Sequence, residues 1–155
     1  MHITLETDYA IRIVDELARK KLEAQSKEQL PQRCCLDAKA ISENTNVPQR
    51  FALKILHKLV KSEIVRSYKG IYGGYELARE LSALSLYDVV ELMEGTYNFS
   101  RCLCDGYSCS CHGNDSMPCA YQRVFSELSD SVRDFLKMQT FDRLVKRNDG
   151  KDCHK

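Results

Sequence analysis

Residues 37–63 leave the backbone few choices. Asp37 precedes AKAISEN, in which Ala38, Ala40 and Ile41 share one helical face, and its carboxylate can accept the free N–H groups of a helix start. Thr45-Asn46-Val47 breaks that pattern, and Asn46 tolerates the left-handed backbone a tight turn needs. Pro48 has no N–H to lose at the first position of a new helix. Phe51, Ile55, Leu56, Leu59 and Val60 then recur at helical spacing up to about Glu63, which leaves Gln49, Arg50, Lys54, Lys58 and Lys61 facing outward. The pattern predicts a helix, a three-residue turn and a second helix with a basic outer face. Between positions 48 and 69, six basic residues (Arg50, Lys54, Lys58, Lys61, Arg66, Lys69) face one acidic residue, Glu63, a local charge of +5 in a chain of net charge +1. Phosphate attraction fades within a Debye length of about 8–10 Å, so the local excess matters more than the total.

The next stretch, IVRSYKGIYGGYELARE, reads as two short strands, 64–68 and 75–77, around a glycine-rich turn. Those glycines permit positive φ and a close approach of backbone to phosphate. A helix-turn-helix followed by such a hairpin predicts DNA binding, whereas a basic amphipathic helix alone is as readily a solvated surface.

Upstream, Ile13, Val14, Leu17 and Ala18 mark a helix over residues 8–21 ending in a basic turn, and polar residues 20–33, with Pro31, read as a loop. Cys34 and Cys35 suit small, half-buried filler positions. Downstream, Ser85 and Asp88 form the ends of a capping box for a helix with Leu86, Val89, Val90 and Met93 on one face, stopping at Gly95. Tyr121, Val124, Phe125, Leu128, Val132, Phe135 and Leu136 form a stripe at three- and four-residue steps, a helix suited to pairing with a partner. Thr140 can cap a last short helix with Phe141 and Leu144 inward, and the polar end from Lys146 on reads as disordered. Cys153 and His154 in it are bystanders. The fold class expected is mainly α with a small β-wing. Residues 1–80 form a winged helix-turn-helix domain, 81–146 a cysteine loop with dimerisation helices, and 147–155 a disordered tail.

Residues 101–121 read RCLCDGYSCSCHGNDSMPCAY, with five cysteines and only Leu103, Tyr107 and Met117 able to join a core. Ordering each residue costs roughly 1–2 kcal/mol of backbone entropy, which so little apolar surface does not offset. An iron–sulfur cluster, a zinc ion or disulfides would order it. The start MHITLETDYAIRIV has no signal-peptide pattern and no ~18-residue apolar run exists, so a cytoplasmic protein outside the membrane is expected. Reducing surroundings disfavour structural disulfides and leave thiolates for a metal or for redox sensing. A small redox enzyme using the C-x-C pairs, with His112 as acid–base group, would leave the wing unexplained, and no enzymatic activity is expected.

These elements, from TDYAIRI through ISENTNVPQRFALKILHKLVKSEIV and YKGIYGGYELAR to CAYQRVFSELSDSVRDFL, resemble the Rrf-type family of bacterial winged-helix regulators, the group of IscR, NsrR and RirA. The resemblance covers nearly the whole chain. It implies a homodimeric transcription regulator, in many members with an iron–sulfur cluster on three cysteines of the loop and a variable fourth ligand. Cys102, before Leu103, Cys109, before Ser110, and Cys119 match the family's cysteine places, and Asp8 matches the aspartate that some members supply from the other subunit. Cys104 and Cys111 are surplus candidates. The histidine other members carry three residues past the last cysteine is Gln122 here, and the one found a turn into the first helix is Arg12, which favours a four-iron over a two-iron cluster. Zinc is the minor alternative, and a cofactor-free thiol switch or partner-regulated factor of the same fold is the rival reading. On DNA, Gln49, Arg50 and Lys54 are expected at the major groove, Lys58 and Lys61 on phosphates, and Lys69 and Tyr72 at the minor groove or backbone. The dimer contact is expected from Tyr121, Val124, Phe125, Leu128, Val132 and Phe135.

Overall fold

The computed structural model describes residues 3–26, 35–71, 73–104, 106–107 and 119–148. Among them the order is α1 (Leu5–Ser26), α2 (Ala38–Thr45), α3 (Gln49–Lys61), β1 (Val65–Tyr68), β2 (Gly74–Leu77), α4 (Leu86–Glu94), α5 (Ala120–Met138) and α6 (Phe141–Asn148). Single 3-10 turns lie at Leu81–Ala83 and Arg101–Leu103. The chain is mainly α with a small β-wing, as its patterning predicts.

Helix α1 is the centre of the core. Ala10, Ile13, Val14, Leu17 and Ala18 are buried along one face and join Ile41, Ala52, Ile55, Leu56, Leu59, Ile64 and Leu77 in one cluster. The helix is longer than its apolar spacing predicts. It begins at Leu5 and continues through Ser26, so residues 20–26 are helix rather than loop and the last turn is not basic. The segment KKLEAQS contains strong helix formers, and Leu22 packs against the core, so nothing stops the helix at Lys21. Residues 27–34, including Cys34, lie outside the described residues.

Local signals position the helix-turn-helix. Asp37 caps α2 by accepting from the Ala40 N–H at 2.7 Å, and Asn46 takes the left-handed conformation at φ 53°. Pro48 stands at the N-cap of α3, one residue before the place expected, and α3 ends at Lys61 rather than Glu63. Its C-terminus closes with Glu63 at φ 58°, the Glu63 N–H on Val60 O and the Ile64 N–H on Leu59 O, a Schellman arrangement sealed by buried Leu59 and Ile64. Phe51 departs from the expected buried set: it is 47% exposed and Ala52 is buried in its place. The two positions straddle the edge of the apolar face, and the small one fits against α1, while the Phe51 ring lies beside Tyr9.

In the hairpin, Val65 pairs with Leu77 and Tyr68 with Gly74. Leu36 adds a third edge through two backbone hydrogen bonds with Tyr75, at 2.8 and 3.0 Å. Helix α4 carries the expected capping box between Ser85 and Asp88, and ends at Gly95. Tyr87 is buried with Val89 and Val90, whereas Leu86 and Met93 are half-buried. After α5 the chain turns back: the Phe141 N–H donates to Leu84 O and the Leu86 N–H to Gln139 O. Phe141 and Val145 of α6 enter the core around α1, with Val145 rather than Leu144 fully inward. Helix α6 also continues through Lys146, Arg147 and Asn148, part of the stretch expected to be disordered. Residues 149–155, with Cys153 and His154, lie outside the described residues.

Candidate DNA-binding face and cysteine site

The turn at Asn46 sets α3 across the end of α2, and Ala52, Ile55, Leu56 and Leu59 hold it against α1. The opposite side turns to solvent: Gln49, Arg50, Lys54, His57 and Lys61 are exposed, and Lys58 is half-buried. Leu53 stands among them, 45% exposed, an apolar group suited to a thymine methyl. As a lone apolar residue off the buried stripe, Leu53 gave no signal in the sequence, and His57 was hidden by its neutrality.

The wing extends this surface. Arg66 and Lys69 are exposed on it, and Ile71 at its tip is 97% exposed. Tyr72 lies outside the described residues. A Cβ on Gly73 would come within 2.3 Å of Tyr68 O, so only glycine fits that turn. Across the hairpin the Tyr68 hydroxyl, at the turn end of β1, donates to Glu76 Oε1 at 2.6 Å, and this bond to a carboxylate raises the phenol's pKa. Cys35 Sγ lies 3.8 Å from the other Glu76 oxygen.

The first turn of α1 carries three acidic or polar contacts. Glu6 Oε1 stands 2.8 Å from Lys58 Nζ and 3.3 Å from Lys54 Nζ on α3. The Lys58 ammonium, foremost, holds the Glu6 carboxyl below the usual carboxylate range. Asp8 is half-exposed and paired with Arg12 at 2.7 Å. Thr4 Oγ1 donates to Glu94 Oε1 at 2.6 Å, the Thr4 N–H donates to the same atom at 3.0 Å, and Thr7 Oγ1 donates to it too. These bonds, Thr4 and then Thr7, lower the Glu94 pKa. They fasten the start of α1 to the end of α4, from which the chain leads toward the cysteines.

The cysteines lie at the start of α5. Cys119 is its N-cap, with Sγ accepting from the Gln122 N–H at 3.4 Å, and the Gln122 side-chain Nε2 donates to Cys102 O at 3.2 Å. Gln122 thus ties the 101–104 turn to the helix that Cys119 begins. The Cys119 cap is a contact between near neighbours in sequence, but the reach of Gln122 to Cys102 is a tertiary fact that spacing does not contain. Cys102 and Cys119 are half-buried free thiols, and Cys104 is exposed. Cys109, Cys111 and His112 lie outside the described residues. Among the described residues no three His, Cys, Asp or Glu side chains gather as a metal site. Asp8 is therefore not assembled with Cys102 and Cys119 within the one chain.

Helix α5 has two faces. Its inner face rests on residues 97–103: Ser129 Oγ accepts from the Phe99 N–H, Arg133 donates to Tyr97 O at 2.8 Å, and the Phe125 ring lies 5.4 Å from Phe99. Phe125 thus serves the protomer's own packing. On the other face Tyr121, Val124, Leu128 and Phe135 are exposed, Tyr121 by 74%, and Val132 is half-buried at the margin.

The fold and the basic face define a winged helix-turn-helix protein. The family model of Rrf2, described as an iron-dependent transcriptional regulator, matches residues 3–147, and the chain belongs to that family. It is 25% identical to the HTH-type transcriptional regulator CymR of Bacillus subtilis over 97% of this chain and 94% of that one. It is 27% identical to the HTH-type transcriptional regulator IscR of Escherichia coli over 72% of this chain and 66% of that one. Among solved structures it is similar to CymR of B. subtilis, titled the global cysteine regulator (TM-score 0.69, 21% identity, 95% of this chain and 98% of that one). It is likewise similar to IscR of T. potens (TM-score 0.69, 18% identity, 100% and 94%). The family consists of transcription regulators, not enzymes. No helix among the described residues is long and apolar enough to cross a membrane.

Proposed function

We propose that this protein is a cytoplasmic, homodimeric, sequence-specific DNA-binding regulator whose affinity for its operator is set at the cysteine loop. The observation that carries the reading is the outer face of α3, where Gln49, Arg50, Lys54, His57 and Lys61 face solvent beside the basic wing. In this reading Gln49, Arg50 and Lys54 meet base edges in the major groove, Lys58 and Lys61 meet phosphates, and Lys69 and Tyr72 follow the minor groove or backbone. Replacing Arg50 with Ala is expected to lose about 1–3 kcal/mol on the operator and much less on random duplex. Lys61→Ala is expected to weaken both alike and flatten the salt dependence. Equal losses on both duplexes for Arg50→Ala would remove Arg50 from the base-reading set.

The exposed stripe Tyr121, Val124, Leu128 and Phe135, with Val132 and the edge of Phe125, supports a dimer formed by two α5 helices. A monomer at micromolar concentration in sedimentation would contradict it.

The donor set fits an iron–sulfur cluster: soft thiolates, two of them brought to one end of α5 by Gln122, in a family described as iron-dependent. Cys102, Cys109 and Cys119 would hold it, with Asp8 of the partner subunit as fourth ligand, in the four-iron form rather than the two-iron form. Zinc on four of the loop's five thiolates is the minor alternative. When bound, the cluster would supply an iron centre whose carboxylate-held corner is open to redox or gaseous reactants. Asp8 belongs to α1, and α1 packs directly on α3, so a shift of α1 would move the DNA-reading helix. Operator half-sites lie about 34 Å apart for one helical turn, which leaves little tolerance for such a shift. Alanine at Cys102, Cys109 or Cys119 is expected to abolish the cluster, Asp8→Ala to make it labile, and Cys104→Ala or Cys111→Ala to leave it intact.

A second reading is favoured by the match to CymR over nearly the whole chain: signalling by the thiols themselves, or by a partner protein, with no cofactor. Anaerobic purification separates the two. A brown protein with iron and sulfide supports the cluster, and a colourless one supports the thiol or partner switch.

A further inference from the structure

Lys54 and Lys58 differ from the other cations of α3 in having a carboxylate of the same chain between them. Glu6 Oε1 lies 2.8 Å from Lys58 Nζ and 3.3 Å from Lys54 Nζ, and Glu6 Oε2 is 3.4 Å from Lys54 Nζ. A carboxylate gripping two ammonium groups is what a DNA phosphate would offer them. Glu6 has little freedom to leave: its neighbour Thr7 is fully buried, and Thr4 and Thr7 are hydrogen-bonded to Glu94. Lys54 is exposed like Arg50, His57 and Lys61 on the same face, but it and the half-buried Lys58 are the ones that share this carboxylate.

We propose that Glu6 is a specificity-determining residue, a built-in phosphate mimic that withholds Lys54 and Lys58 from random DNA and yields them only on the operator. The inference rests on the reading of α3 as the DNA-binding helix. On random sequence, Arg50, Lys61 and the wing make the phosphate contacts, and displacing Glu6 gains nothing beyond exchanging one anion for another. On the operator, base contacts draw α3 into the groove, where Lys58 exchanges Glu6 for a phosphate and Lys54 exchanges it for a base edge.

The test is the salt dependence of binding between 50 and 200 mM NaCl, by fluorescence anisotropy, on a random duplex and on the operator obtained by selection. Each phosphate contact contributes a slope of about 0.9 in log K against log salt. Glu6→Gln, which keeps the shape and removes the charge, is expected to steepen the random-duplex slope by up to about 1.8. That is about 12-fold more loss of affinity across this range for two added contacts. The operator slope is expected to change little, so the preference for operator falls. The steepening is expected to vanish when Lys54→Met and Lys58→Met are added. Should Glu6→Gln fail to fold by circular dichroism, Lys54→Met/Lys58→Met alone decides. It is expected to lower the operator slope by about 0.9, for the Lys58 phosphate, and leave the random-duplex slope within a few tenths. Unchanged slopes in a folded Glu6→Gln, even with a lowered melting temperature, or equal slope losses on both duplexes in the double variant, would make Glu6 a structural tie and overturn the inference while the DNA reading stands. Wild-type protein that selects no sequence would instead overturn the DNA reading and, with it, this inference.

Discussion

Ser129→Ala tests how the cysteine-bearing segment is held. Ser129 is fully buried on α5, where its hydroxyl donates to Phe125 O at 2.7 Å and accepts from the Phe99 N–H at 2.9 Å. Alanine leaves the Phe99 N–H without its acceptor at this buried position of α5, which costs about 1–3 kcal/mol. Alanine is also the better helix former, by about 0.5 kcal/mol, so the net loss expected is about 1–2 kcal/mol. Ser131 supplies the control: its hydroxyl makes the same bond to the carbonyl four residues back, Glu127 O at 2.8 Å, but the side is exposed. Ser131→Ala is therefore expected within about 0.5 kcal/mol of wild type. Urea unfolding at a fixed protomer concentration measures both, since a dimer adds stability by mass action. With a slope of about 2 kcal/mol per molar, a 1.5 kcal/mol loss lowers the midpoint by about 0.75 M. Equal shifts for the two serines would refute the argument, because they would show that the bond from residue 99 contributes nothing.

Glu63→Gly is expected to stabilise the fold. Relief of a left-handed conformation costing about 1–2 kcal/mol outweighs the roughly 0.4–1 kcal/mol of added unfolded-state entropy, and thermal melting checks it. Gly73→Ala forces the turn beside Tyr68 O to open, so hydrogen exchange in β1 and β2 is expected to speed up and DNA affinity to fall, and unchanged protection would contradict this. Glu94 has a folded pKa below its unfolded value of about 4.3, so the unfolded chain takes up the proton first. The stability Glu94 contributes is present above that pH and is lost as pH falls through the lower, folded value. Glu94→Gln is expected to flatten that part of the acid-unfolding profile, as followed by urea midpoints from pH 6 to 3.

What was legible in the sequence was what neighbouring residues decide among themselves. Asp37 and Ala40, Asn46 at its turn, Ser85 with Asp88, and Gly95 behave as their spacing predicts, because each bond spans a few residues. Two departures have different causes: the helix formers of KKLEAQS, with Leu22 on the core, continue α1, and packing against α1 lets Ala52 displace Phe51 from the core. The return of Phe141 and Val145 to the core around α1 crosses more than a hundred residues of chain, and no periodicity encodes it. At the candidate site the same division holds. The basic face of α3 was readable, whereas Glu6 against Lys58, and Gln122 against Cys102, are pairings across elements that appear only once the helices are packed.

The most direct test of the central claim is DNA selection with full-length protein purified without oxygen, run in parallel on the iron-loaded and the metal-stripped forms with iron and sulfide quantified in each. The results expected are a visible charge-transfer spectrum, a twofold-symmetric operator with half-sites about one helical turn apart, and enrichment that differs between the two forms. Iron-loaded and stripped protein that select the same sequences equally well would contradict control through the cluster, and selection of no sequence by either form would contradict the account as a whole.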